Sequence, residues 1–197
     1  MIAFALCMPA QDGAGKNGAS EYATLLGSLK AGGTIIDYTR LRLSYMDSPE
    51  YKQAKDTSGP EKAMSVALNA KDYPKALKYA EEVLASQYVN MDAHFIAFIA
   101  NREIGATDQA EFHKAVFRGL LNSIQNSGDG LSQEKAWVVI SVDEEYVMLR
   151  ALGFTPSSQG LVHKDGHSYD VMKVKGRDDG TEKTFYFNVD IPFKHGL

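Results

Sequence analysis

Only one of the 197 residues is cysteine, Cys7, so no disulfide can form within the chain. Basic residues are no more abundant than acidic ones: 21 Lys and Arg stand against 25 Asp and Glu, a formal charge of −4. That balance excludes a general nucleic-acid binder, which needs a basic face to neutralise phosphates. No internal stretch approaches the roughly 20 apolar residues of a membrane-spanning helix. Motifs that announce chemistry are also missing. There is no GxSxG nucleophile elbow, no HExxH helix and no GxxxxGK phosphate loop. What remains is an ordinary globular composition, long enough to bury a core without disulfides or metals.

The chain opens MIAFALCMPA and continues QDGAGKNGAS. An apolar run followed by small residues reads as the core and cleavage site of an export signal, although no basic residue precedes Lys16. The competing reading is a frayed terminus or a first strand packed on the core. Export predicts a periplasmic or secreted protein; without it the location is cytoplasmic. A lipoprotein variant would carry its lipid on Cys7, yet Met8 and Pro9 are unlike the small residues such a site prefers. Gly13, Gly15 and Gly18 make residues 11–19 a flexible tether.

Residues 20–127 carry mostly helical periodicity. Ser20 can cap a helix whose apolar face is Tyr22, Leu25, Leu26 and Leu29. Residues 34–47 fit a strand for part of their length and a helix for the rest, and 50–59 read as a loop. Four helices are expected between Pro60 and Asn126. The turns at Ala70–Pro74 and Ile104–Asp108 are offset by about 34 residues, the length of a tetratricopeptide repeat. The phrase DYPKALKYAEEVL resembles the second helix of such a unit. Two plain helical hairpins are the alternative.

Gly128-Asp129-Gly130 breaks the pattern, and residues 131–197 read differently. WVVISV, from Trp137 to Val142, suits a buried strand, and Asp143 is placed to cap one helix. Three strands are expected after it, at 159–163, 168–175 and 184–191. The fold class is therefore α+β, with tetratricopeptide-like hairpins packed on a small C-terminal antiparallel sheet bearing one helix.

The segments TRLRLSYMDSPEY, ISVDEEYVMLRALGF, SQGLVHKDGHSYDVMKV and FYFNVDIPF together resemble an uncharacterised bacterial family, a domain of unknown function common in Bacteroides. The resemblance spans roughly residues 20–193. It implies kinship and, since members often carry an export signal, an envelope location. It implies no activity.

Candidate functional residues fall into four groups. Arg40 and Arg42 would share one face of a strand near Tyr45, ready for an anionic partner or for pairing with Glu144 or Glu145. Tyr169, Asp170, Tyr186 and Asn188 lie on adjacent expected strands, where a hydrolase site with Glu144 would need them to converge. His163, Asp165, His167 and Asp170 have metal-ligand chemistry, but the Asp165-Gly166 turn accounts for them better. Asp143, Glu144 and Glu145 sit where acids complement a helix N-terminus. No cofactor or metal is expected. These readings favour a non-catalytic interaction protein of the envelope that binds a protein or peptide, with a small hydrolase as the alternative.

Overall fold

The computed structural model describes residues 20–196, and the expected signal, tether and Cys7 lipid site lie outside the described residues. Ser20 caps α1 (Glu21–Lys30), accepting from the Ala23 amide at 3.1 Å. Asp37 caps α2 (Tyr38–Met46) through the Arg40 amide at 2.9 Å. That cap decides the ambiguous 34–47 segment in favour of helix, and Leu41, Arg42, Tyr45 and Met46 turn inward. The expected loop at 50–59 contains most of a short helix, α3 (Pro49–Lys52), capped by Ser48.

Four helices follow as expected: α4 (Ser58–Asn69), α5 (Tyr73–Ser86), α6 (Met91–Glu103) and α7 (Thr107–Gln125). The turns into α5 and α7 contain left-handed residues, Lys71 (φ 58°) and Gly105 (φ 82°). They stand 34 positions apart (105 − 71), so the offset in the sequence is repeated in the backbone. Ala76, Ala80, Ala93, Ala97 and Ala100 are buried between α4, α5 and α6, where small side chains let helices approach closely.

The C-terminal part has β1 (Trp137–Val138), α8 (Val142–Ala151), β2 (Phe154–Lys164), β3 (His167–Gly176), β4 (Glu182–Asn188) and α9 (Asp190–His195). The strand order is β1-β4-β3-β2. β2, β3 and β4 form the expected meander, but β1 pairs parallel to β4, so the sheet is mixed. Only the first two residues of WVVISV pair. The Ile140 amide instead donates to Glu144 at 2.9 Å as the chain swings into α8. Ser141, not Asp143, caps that helix, because its hydroxyl reaches the Glu144 amide from outside the first turn.

The third expected strand stops at Asn188, whose side chain accepts from the Asp190 amide at 3.1 Å and turns the chain. Pro192 cannot donate to a sheet ladder, and the last segment forms α9, a second C-terminal helix where one was expected. One hydrophobic core joins Leu29, Leu41 and Leu120 of the helical half to Met148, Met172 and Phe187 of the other. The break at Gly128–Gly130 is thus a change of secondary structure within shared packing. Trp137 belongs to this core, its ring 5.0 Å from Phe185 and 5.5 Å from Phe187.

Candidate functional site

In a helix, residues two apart point in different directions, so the shared face expected of Arg40 and Arg42 does not form. Arg40 is exposed and pairs with Glu21. Arg42 is 1% exposed. Its Nε and Nη2 donate to the two oxygens of Glu144, the first at 2.8 Å and the second at 2.5 Å. Its Nη1 donates to Ser123 at 3.0 Å and its Nη2 also to the Val138 carbonyl at 3.1 Å. One guanidinium therefore ties α2, α7, β1 and α8 together. Of the two pairings available, the one with Glu144 forms; four of the five guanidinium N–H groups are engaged and the side chain is buried, so an outside anion has no access to Arg42.

Strand alternation separates the second group. Asp170 points with Met172 and Phe187 toward the core, where its Oδ2 accepts from the Gln159 amide at 2.5 Å. Tyr169, Tyr186 and Asn188 occupy the opposite face, with Tyr169 directly across from Asn188. The four do not converge, and Glu144 lies with Arg42. The hairpin residues are spent on structure: His163 bonds Ser168, Asp165 takes the turn at φ 52°, and His167 contacts Asp190 at 2.6 Å. Among the described residues no group of three or more His, Cys, Asp or Glu is arranged to hold a metal ion.

A cleft exists elsewhere, with a volume of about 230 Å³. It opens where α2–α3, α4, the α5–α6 turn and the start of α8 meet. Tyr45 and Tyr51 form one wall, their rings edge to face at 5.4 Å. Burial pushes the Tyr45 hydroxyl up to about 12, so it stays a neutral donor. Glu61, Asp92 and Asp143 converge from three elements. Glu61 is fixed by Thr57 at 2.8 Å and Asn90 at 3.1 Å. Burial raises the carboxyl pKa of Glu61, and so do the charges of Asp143 and Asp92. Burial and Asp92 also raise Asp143. Arg150 balances part of this charge by pairing with Asp92.

A model of a domain of unknown function, DUF4919, matches residues 13–195. The chain belongs to that family. No curated protein and no solved structure matches it. Family membership agrees with the motifs that point to an uncharacterised domain and assigns no chemistry to the cleft.

Sequence reasoning reached Tyr45, Glu144 and, as a helix-terminus acid, Asp143, and missed the rest of the cleft. Glu61 and Asp92 look like first-turn acids, and only the tertiary fold turns them toward Asp143. Two buried titratable sites also go unread: Glu145 reads as a helix-terminus acid or an arginine partner, and the His94–His113 pair is not anticipated. Glu145 is 0% exposed, and no donor reaches either carboxyl oxygen. Burial, then the adjacent Asp170, pushes its pKa up to about 9, and the retained proton lets the two acids lie together. His94, also 0% exposed, sets its Nε2 2.9 Å from the Tyr88 carbonyl and its Nδ1 3.0 Å from Nδ1 of His113. The carbonyl requires the proton on Nε2 of His94, so His113 donates from its own Nδ1. A histidine inside the apolar run of α6 was the available signal for this pair.

Proposed function

We propose that the protein is a non-catalytic binding module of the bacterial envelope whose cleft takes a basic segment of a protein or peptide partner. The observation that carries this reading is the meeting of three carboxylates, Glu61, Asp92 and Asp143, beside the Tyr45 and Tyr51 rings. Burial, with the charges of Asp143 and Asp92, raises Glu61, and burial with Asp92 raises Asp143, so these two carboxylates gain from a cation placed among them, and tyrosine faces accept lysine or arginine groups. Stacking of α4 to α7 at a 34-residue offset supports the tetratricopeptide-like reading, an architecture suited to holding peptides. The apolar opening MIAFALCMPA supports export, against a cytoplasmic location.

The test is calorimetric titration with Lys- and Arg-rich peptides against acidic peptides of equal length. Basic peptides bind, and D143N together with E61Q weakens them at least tenfold. Equal binding of acidic peptides would overturn the reading. The competing hydrolase reading requires turnover of ester, peptide or glycoside substrates that is lost in the same variants. Mass determination of the mature N-terminus in native membrane and periplasmic fractions tests export.

A further inference from the structure

The sheet has one open edge of unusual length. β2 is the last strand in the order β1-β4-β3-β2 and, among the described residues, pairs only with β3. All eight residues from 157 to 164 are exposed. Proteins guard such edges with proline, bulges or charge, because the unpaired backbone groups can add another strand. Here the guards sit at the ends. Pro156 and the register shift between Pro156 and Ser158 disturb the first part, and Lys164 is the strand's single formal charge. Between them Ser158–His163 is regular and uncharged, with Leu161 45% and Val162 38% exposed.

We propose that this edge pairs with the same edge of a second copy of the chain, antiparallel, about a two-fold axis at Leu161. Leu161 is the midpoint of the regular run 158–164, so the register that uses all of the run and avoids Pro156 is centred there. In that register Val162 stands across from the partner's Gly160, a position where a Cβ would meet nothing within 4 Å in one copy. Gln159 stands across from the partner's His163, a donor–acceptor pair. Lys164 stands across from the partner's Ser158. The two Lys164 residues are then six positions apart along the ladder, roughly 20 Å, well beyond the screening length.

A parallel pairing would set the two Lys164–Glu134 ion pairs side by side, whereas the antiparallel arrangement keeps them at opposite ends of the ladder. A foreign peptide on this edge would leave its own outer edge open. The two-fold arrangement satisfies both copies with one patch and closes the assembly. This dimer is independent of what the cleft binds.

The experiment uses the full chain with Cys7→Ser, so that introduced cysteines are the only thiols. Leu161→Cys places two thiols directly across the axis, at the Cα separation a disulfide needs. Thr155→Cys places them about 40 Å apart. Under mild oxidation the first variant cross-links to a dimer and the second does not. In sedimentation, Leu161→Lys sets like charges opposite each other and raises the dimer dissociation constant roughly tenfold, with an unchanged circular dichroism spectrum. A wild-type chain that stays monomeric near 100 µM overturns the proposal. So does equal cross-linking of both cysteine variants, which would report random collision. If Leu161→Lys fails to fold, the cysteine pair decides alone.

Discussion

Replacing Glu145 with glutamine should stabilise the protein, by an amount that grows with pH. The folded state holds a proton on Glu145 up to about pH 9, whereas the unfolded chain releases it near 4.5. Between those values folding takes up one proton, so wild-type stability falls as pH rises, by about 1.4 kcal/mol per pH unit. At pH 7 the accumulated cost is on the order of 3 kcal/mol, and the carboxyl is too deeply buried for solvent to screen it. Glutamine has nearly the same shape, does not titrate, and offers an N–H donor to Asp170. The assay is urea unfolding of both proteins at pH 5, 6, 7 and 8, read as the difference in stability at each pH. Titrating groups remote from the Glu145–Asp170 pair are common to both proteins and cancel. The difference should be small at pH 5 and should widen by about 1.4 kcal/mol per unit toward pH 8. Parallel stability curves would show that Glu145 does not retain its proton, and the account of the acid pair would fail.

Three further outcomes follow from the same geometry. Arg42→Met leaves Glu144 buried and unpaired and should cost about 3–5 kcal/mol in urea unfolding, while adding Glu144→Leu should recover part of it; a double variant no more stable than the single one contradicts this. Gly130→Ala forces a side chain onto a left-handed residue (φ 68°) with the Trp137 ring 2.6 Å from the new carbon. It should lower stability by about 2–4 kcal/mol and dim or shift tryptophan fluorescence, and an unchanged melting curve would count against the packing. The resonances of the His94 ring should keep their neutral form from pH 8 to pH 5, since burial, then His113, pushes its pKa down to about 3. A midpoint near 6.5 in a nuclear magnetic resonance titration would show that the ring is not buried as described.

What the sequence made legible follows the range of the interactions involved. Local signals were sufficient for the helix cap at Ser20, the hairpin turn at Asp165-Gly166, and the two turns that set the 34-residue offset, because each is decided within a few positions. Segment 34–47 was ambiguous because its pattern satisfies two periods, and the Asp37 cap decides between them. The split of Tyr169 from Asp170 needed only strand alternation, yet a list of polar residues on adjacent strands conceals it. The cleft was out of reach. Glu61, Asp92 and Asp143 come from three separate elements, and nothing in their local sequence records that α4 and α8 meet.

The two buried titratable sites act in opposite directions. His94 prefers to be neutral, so the unfolded chain takes up its proton first, and stability is lost as pH falls below about 6.5. Between pH 7 and pH 5 that loss is about 2 kcal/mol. Burial also pushes His113 down, to about 4, and adds to the loss, though its partial exposure reduces its share. Over the same interval Glu145 returns about 2.5 kcal/mol, because its proton is retained on folding. The wild-type chain should therefore show a nearly flat stability between pH 5 and pH 7, a flatness produced by cancellation and not by the absence of buried charge. Glu145→Gln removes one side of the balance and should make the protein markedly acid-sensitive over that interval. If parent and variant are equally flat, Glu145 does not retain its proton, the histidine pair is not held neutral, and the cancellation does not exist.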